Sequence, residues 1–181
     1  MKTFTKEYRE TLLPKLQKEL GIANAHATPR MTKLIVNIGL PKGADDKDRE
    51  DIIKMLTMIT GQKPEGRKTN KNIQSFKIRA GMVIGQRVTL RGARMEQFFA
   101  KLIKATLPRM RDFRGIPYSA VGHDGSLNIG IREHIIFPEI IGEDFRRIWP
   151  LQVIVVARAG SREEGIALWK MLGVPFEREE R

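Results

Sequence analysis

The amino-acid sequence predicts an α+β protein, in which an antiparallel sheet has helices packed on one face and a polar/basic face on the other. Segments of helical periodicity are interspersed with strand-like segments, and neither kind dominates the chain. Three strand-like segments alternate apolar and polar side chains, as strands do in a sheet covered on one side. No repeat or linker divides the 181 residues, so we expect one domain over residues 1–181 with a long basic loop at about residues 65–85.

A helix and a strand are expected in the first 40 residues. Pro14 predicts a kink or a late start of the helix, and Gly21 offers a stop. The segment MTKLIVNIGL (residues 31–40) is rich in β-branched residues and predicts a strand. Its alternation sets Lys33 and Asn37 on the face opposite Val36. The helical spacing is carried by Tyr8, Leu12, Leu16 and Leu20.

The middle of the chain predicts a helix, a long exposed segment and a further strand. Asp45 or Asp46 can cap the helix, and Gly61 ends it. Residues 62–85 lose clean periodicity, which predicts short strands joined by a long loop. Alternation returns over residues 84–91. The apolar residues expected inward are Ile52, Ile53, Leu56 and Ile59 of the helix and Ile84, Val88 and Leu90 of the strand.

The last 90 residues predict two helices and two strands. An amphipathic helix begins near Met95 and is closed by Pro108. The segment SLNIGI (residues 126–131) predicts a half-buried strand, and LQVIVVA (residues 151–157) predicts a central strand with both faces apolar. Ser161 and Glu164 form a capping box ahead of the last helix, which Gly173 ends. The segment HIIFPEIIG (residues 134–142) is not assigned.

The charge distribution indicates a polyanionic partner. The formal net charge is +12, and residues 66–95 hold eight basic residues and no acidic one, between Glu65 and Glu96. Such a one-sign segment destabilises the fold through repulsion unless a partner supplies negative charge, and nucleic acid is the commonest partner of this kind. A merely basic, solvated face is the alternative. The polar face that we expect to meet an RNA minor groove carries Lys33, Asn37, Arg87, Thr89 and Arg91.

Two further segments add to this interpretation. In FKIRAGMVIG (residues 76–85) apolar side chains alternate with Lys77 and Arg79, so that they either pack on bases or turn into the core. In PRMRDFRG (residues 108–115) three arginines surround Asp112 and either contact RNA or pair with that carboxylate.

Neither an enzyme nor a cofactor or metal site is indicated. The GLPKG segment (residues 39–43) lacks the G-x-G-x-x-G spacing, and Pro41 removes an amide that a phosphate would need. The chain has no cysteine, and its three histidines lack ligands at metal-binding spacing. An RNA-modifying enzyme with a basic channel is the second hypothesis. An adaptor for an acidic protein or a membrane surface is the third, and it leaves Asn37, Gln62 and Thr89 without a purpose.

Six ordered segments resemble the large-subunit ribosomal protein five family, bacterial type. They are VNIGL (36–40), ITGQKP (59–64), FKIRAGMVIGQRVTLRGARM (76–95), LPRMRDFRG (107–115), IIFPEI (135–140) and LGVPF (172–176). The chain departs from the family pattern at Glu65 and Gly66, which replace apolar residues, and at Ala80, where many members carry Glu.

The resemblance implies a structural constituent of the large ribosomal subunit, in the cytoplasm. Such a protein binds 5S rRNA in the central protuberance, contacts P-site tRNA and bridges to a protein of the small-subunit head. Large-subunit rRNA and neighbouring 5S-binding proteins are further expected partners, with no membrane and no small-molecule substrate.

The resemblance and the sheet face together assign the expected site residues. The 5S rRNA set comprises Lys33, Asn37, Gln62, Lys63, Thr69, Lys71, Arg87, Thr89 and Arg91. The loop expected at tRNA comprises Phe76, Lys77, Ile78, Arg79, Gly81 and Met82. The side facing the intersubunit bridge carries Arg109, Arg111 and Arg114.

Overall fold

The computed structural model describes residues 11–41, 45–76 and 78–177. Within these ranges four α-helices and five strands follow in the order α1 (Leu13–Glu19), β1 (Arg30–Gly39), α2 (Asp46–Thr60), β2 (Glu65–Lys68), β3 (Val83–Leu90), α3 (Gly92–Lys101), β4 (Leu127–Ile131), β5 (Leu151–Arg158) and α4 (Arg162–Met171). The predicted α+β class is confirmed. Tyr8, expected in the first helix, lies outside the described residues.

The five strands form one antiparallel sheet in the order β2-β3-β1-β5-β4. Alternation along β1 buries Leu34, Val36 and Ile38, while Lys33 and Asn37 on the opposite face are only half-buried. The same alternation holds in β4 and β5. One face of the sheet is therefore part of the core, and the other, which we call the open face, carries the half-buried and exposed side chains.

The chain forms two compact units. One comprises the described parts of residues 1–34, 90–129 and 154–181, and the other comprises residues 35–89 and 130–153. In the first unit, Trp169 of α4 is fully buried, lies 6.0 Å from the Phe99 ring and donates through Nε1 to the carbonyl of Gly125 at 2.8 Å. A Cβ on Gly165 would come within 2.5 Å of the Gly125 Cα, so the absence of a side chain there lets α4 approach that turn.

In the second unit, α2 begins and ends as its sequence predicts. Asp45 is the N-cap, its backbone N–H donates to Asp48 Oδ2 at 3.3 Å, and Gly61 adopts a left-handed conformation at the C-cap with φ of 67°. The segment between β4 and β5 contacts this helix through two ion pairs, in which Lys54 Nζ lies 2.6 Å from Glu143 Oε2 and Arg147 lies 3.5 Å from Asp48.

The strands β1 and β3 approach each other unusually closely near their ends. The Leu40 N–H donates to the Ile84 carbonyl at 2.9 Å, and a Cβ on Gly85 would lie only 2.7 Å from the Ile38 carbonyl oxygen. Glycine at position 85 is therefore required by the spacing of the two backbones.

Some predicted details from β3 onward differ from the structure. Ile84, expected inward, is 39% exposed, although Val88 and Leu90 on the same strand are buried. The strand β5 is interior, but β1 occupies the middle of the sheet and the second face of β5 is only half-buried. In the expected capping box, Ser161 Oγ accepts from the Glu164 N–H at 3.3 Å as predicted, whereas the Glu164 carboxylate accepts from the N–H of Gly160 at 2.6 Å instead of that of Ser161.

The remaining differences concern segments of irregular helix. The helix predicted to run from Met95 to Pro108 leaves the α form after Lys101, continues as a π-helix over Leu102–Thr106 and ends in a 3-10 turn at Leu107–Arg109. The unassigned segment contains two 3-10 turns, His134–Ile136 and Pro138–Ile140. Among the described residues, no helix combines the length and the apolar composition that crossing a membrane requires.

Candidate nucleic-acid interface

The hairpin formed by β2 and β3 is the most basic part of the second unit. Its antiparallel register pairs Glu65 with Arg87 and Arg67 with Gly85, and the register shifts between Arg67 and Lys68. Since paired residues of neighbouring strands lie on the same face, Glu65, Arg67 and Arg87 share the open face. All four residues of β2 are exposed, so these charges are accessible to a partner.

Three polar residues expected to bind 5S rRNA, Asn37, Gln62 and Thr89, are linked to the strands by hydrogen bonds or lie on them. Asn37 Nδ2 donates to Gln152 Oε1 at 3.5 Å, and Gln62 Nε2 donates to the carbonyl of Thr89 at 3.4 Å. All these side chains are half-buried. Within the described residues, no donor contacts Asn37 Oδ1 or Gln62 Oε1. Both amides therefore keep an acceptor for a ribose hydroxyl or a base edge.

Position 62 is set by the end of α2. The Thr60 hydroxyl donates to the Leu56 carbonyl at 2.6 Å and accepts from the Gln62 N–H at 3.3 Å, which carries the chain out of the helix toward β3. Gly61 supplies the left-handed conformation in between. The Gln62 side chain thus reaches Thr89 because a helix terminator precedes it, which is a local feature of the sequence.

Most basic residues of the predicted set and of the hairpin have no acidic partner in the part of the chain that the structure describes. Arg87 and Arg67 pair with Glu65, at 3.4 and 3.7 Å. Across residues 11–41, 45–76 and 78–177, no ion pair involves the other basic side chains of the predicted set and the hairpin: Lys33, Lys63, Lys68, Lys71, Arg79 and Arg91. Unpaired surface cations of one sign create the positive field that attracts a polyanion.

The compact units divide the predicted 5S rRNA set. Lys33, on the first half of β1, and Arg91, the N-cap of α3, belong to the first unit. The second unit brings together the remaining members, which are Asn37, Gln62, Lys63, Thr69, Lys71, Arg87 and Thr89.

The segment between β2 and β3 is shorter and more regular than the predicted loop of residues 65–85. Residues 65–68 form β2, Ile73 and Ile78 exchange backbone hydrogen bonds at 2.9 and 3.1 Å, and a 3-10 turn lies between them. The Thr69 hydroxyl donates to the Lys71 carbonyl at 3.0 Å, so this predicted RNA ligand also closes a turn of its own.

The tip of this segment forms a shallow surface depression. Ile78 is half-buried, Met82 is 42% exposed, and Gly81 turns the chain with φ of 88°. Lys77 and the side chain of Phe76 lie outside the described residues. The lining consists of Asn72, Gln74, Ile78, Arg79, Ala80 and Met82. An exposed thioether beside an unpaired guanidinium gives this tip both apolar and cationic contact area.

The arginine cluster of residues 109–114 lies in the first unit. Arg109, Arg111 and Arg114 are all exposed. Asp112 adopts a left-handed conformation with φ of 52°, and within the described part of the chain it forms no ion pair with these arginines. The internal pairing considered from the sequence is therefore absent there, and the three guanidinium groups stay accessible.

The histidines do not form a catalytic or metal-binding group in the described residues. His26 and His123 are exposed, whereas His134 is buried and its Nδ1 accepts from the Trp149 N–H at 3.0 Å. Burial lowers the pKa of His134 below its ordinary value of 6.5. Over the same ranges no group of three potential metal ligands occurs.

The predicted site set leaves out three residues of this hairpin. Arg67 and Lys68 were recognised only as part of the basic run, and Glu65 only as its boundary and a departure from the family pattern, whereas the register sets Glu65 beside Arg87. The register of a hairpin decides which residues of its two strands are neighbours. The register shift between Arg67 and Lys68 interrupts the alternation, so the pattern of the sequence does not reveal these neighbours.

Comparison with known proteins gives matches along nearly the whole chain. A model of the ribosomal protein L5 family matches residues 24–79, and a model of the C-terminus of the same ribosomal family matches residues 83–176. The large ribosomal subunit protein uL5 of Halothermothrix orenii is 41% identical over 177 residues, which cover 97% of this chain and 99% of that protein. The protein of the same name from Desulfatibacillum aliphaticivorans is 45% identical over 177 residues, with the same coverage of both chains.

A third relative agrees with the first two. The large ribosomal subunit protein uL5 of Synechocystis sp. is 46% identical over 170 residues, which cover 93% of this chain and 94% of that protein. The chain therefore belongs to the ribosomal L5 family, whose members are structural components of the ribosome and not enzymes.

Proposed function

We propose that this chain is a structural protein of the large ribosomal subunit that binds 5S rRNA through the open face of its second unit. The observation that carries the proposal is the combination of unpaired cations with half-buried amides on that face. Its relatives are named as large-subunit proteins, which supports the ribosomal location. The chain would act in the cytoplasm, within the assembled ribosome.

The two kinds of side chain have different tasks in this proposal. Lys63, Lys68 and Lys71 supply affinity by releasing counterions from phosphates, which is independent of RNA sequence. Asn37, Gln62 and Thr89 supply register, because an amide or hydroxyl satisfies its hydrogen bonds only with a correctly placed group. An RNA that offers phosphates alone engages only the lysines.

The experiment measures binding to 5S rRNA across a salt series against an unrelated structured RNA of equal length. Wild-type protein should prefer 5S rRNA, and the preference should persist at high salt. The N37A/T89A double variant should lose about tenfold or more of this preference, since each hydrogen bond contributes ~1 kcal/mol. Equal binding of both RNAs by the wild-type protein would refute the proposal.

Charge variants test the electrostatic part separately. The K68Q/K71Q variant should weaken binding to both RNAs and reduce the salt slope by about 1.5, since each phosphate contact contributes about 0.7–0.9. The K18Q/K47Q variant makes the same change of net charge at exposed lysines of α1 and α2, outside the hairpin. An identical slope change in the control would show that net charge alone governs binding.

We further propose that the tip of residues 76–82 contacts P-site tRNA and that the arginine cluster faces a small-subunit head protein. Arg79 and Met82 offer the tip a cation and an exposed apolar side chain. Large subunits reassembled with R79Q protein should bind P-site tRNA more weakly while incorporating 5S rRNA normally. Subunits with R109Q/R111Q/R114Q protein should associate less readily with small subunits. Unchanged tRNA binding or unchanged association would refute the respective contact.

A further inference from the structure

The acidic residue at the start of the basic hairpin has an unusual position. Glu65 is the first residue of β2, and the 30 residues that follow it, 66–95, contain no acidic side chain. Glu65 Oε2 lies 3.4 Å from Arg87 NH2, and Glu65 Oε1 lies 3.7 Å from Arg67 NH1. One carboxylate thus lies between two guanidinium groups on the open face.

The contact matters more to Arg87 than to the stability of the fold. The Arg87 side chain is 33% exposed, and its Nε is buried without a hydrogen-bond partner. Within the described residues, Glu65 is the acceptor that its guanidinium group contacts. The Glu65 side chain is itself 68% exposed, and exposed ion pairs contribute little to folding. The pair therefore orients Arg87 without holding the protein together.

In this position the Glu65 carboxylate competes with a phosphate for the same two arginines. Two converging guanidinium groups would form a favourable phosphate site if nothing lay between them. Here the Glu65 carboxylate already contacts both groups, so a phosphate must either displace it or bind beside its negative charge. Arg67 and Arg87 are thereby less available to any RNA that offers only backbone charge.

We propose that Glu65 is a specificity-determining residue of the RNA interface, which keeps Arg67 and Arg87 oriented on the open face and disfavours binding of RNA through phosphates alone. This inference rests on the proposed function, since it assumes that the open face binds RNA. A matching RNA also forms hydrogen bonds with the amides of Asn37 and Gln62. In that complex the orientation of Arg87 offsets the repulsion between the carboxylate and the RNA. Binding of a non-matching RNA experiences the repulsion without that compensation.

The test compares the Glu65→Gln variant with the wild-type protein for both RNAs. The variant keeps the size of the side chain and one acceptor oxygen but removes its charge. At low salt it should bind the unrelated RNA about three- to tenfold more tightly, while its affinity for 5S rRNA changes less than about twofold. The preference for 5S rRNA should fall accordingly, and the thermal midpoint should not change.

A matched control distinguishes this role from a general change of charge. Glu50→Gln alters the net charge equally at an exposed position of α2 and should leave the preference unchanged. An unchanged preference in Glu65→Gln, or an equal fall in Glu50→Gln, would overturn the inference while leaving 5S rRNA binding intact. A wild-type protein without preference would overturn the proposed function, and the inference with it.

Discussion

Replacing Gly85 with alanine should destabilise the second unit, because β1 leaves no room for a side chain at that point. The added Cβ would lie 2.7 Å from the Ile38 carbonyl oxygen and 3.7 Å from the Gly39 Cα. Both atoms belong to the backbone, so neither can rotate away as the end of a side chain could. The strain must be relieved by moving β3 away from β1.

The size of the effect can be estimated from this geometry. Ordinary contact begins at 3.4 Å, so the two strands must separate locally by about 0.7 Å. That movement stretches the 2.9 Å hydrogen bond from the Leu40 N–H to the Ile84 carbonyl beyond its effective range. Overpacking costs about 1–3 kcal/mol and a lost hydrogen bond about 0.5–1.5 kcal/mol. The lower entropy of the unfolded chain offsets about 0.4–1 kcal/mol, which leaves a net loss of about 0.5–4 kcal/mol.

Urea unfolding measures this loss, and Gly39→Ala provides the control. No atom lies within 4 Å of a Cβ placed on Gly39, although Gly39 lies at the same close approach of β1 and β3. The control should unfold at the wild-type urea concentration or slightly above it, and Gly85→Ala clearly below it with an unchanged slope. In a thermal scan the difference should be about 2–4 °C for each kcal/mol. Equal stabilities of the two variants would refute the argument that the strand spacing requires glycine.

One buried residue in each unit provides a further test, His134 in the second unit and Gly165 in the first. Burial lowers the pKa of His134 from 6.5, so the unfolded chain takes up this proton first as the pH falls, and the free energy of unfolding should decline below about pH 6.5. Urea midpoints measured on both sides of that pH should show the decline in the wild-type protein and in His26→Gln, but not in His134→Gln. A decline that persists in His134→Gln would show that another group causes it. Gly165→Ala should cost about 2–4 kcal/mol, because its Cβ would lie 2.5 Å from Gly125; a loss no larger than that of Gly39→Ala in the same urea assay would contradict this packing.

The elements that depend on local sequence signals could be predicted well. The helix α2 has an N-cap at Asp45 and a glycine at its C-terminus, and both signals act through contacts within a few residues. The strand β1 follows from its β-branched residues, and its alternation fixes Val36 and Asn37 on opposite faces. Asn37 was therefore recognised from the sequence as a residue of the open face.

The features that depend on tertiary packing could not be predicted. Alternation assigned Ile84 to the core, but whether an inward-facing side chain is buried depends on what covers it. The π-helix over Leu102–Thr106 follows a strongly helical pattern, and periodicity does not distinguish i→i+4 from i→i+5 hydrogen bonding. The contact between Glu65 and Arg87 joins residues 22 positions apart and depends on the register of the hairpin.

The position of β2 at the end of the strand order has a consequence for solubility. An outermost strand presents unpaired backbone groups that can recruit a strand of another molecule, which is a common route to aggregation. In β2 the strand is only four residues long, the register is interrupted between Arg67 and Lys68, and both residues are charged. Short length, irregularity and charge are the means by which natural sheets prevent such recruitment. The cations proposed to attract RNA therefore also protect the edge of the sheet while the protein is free.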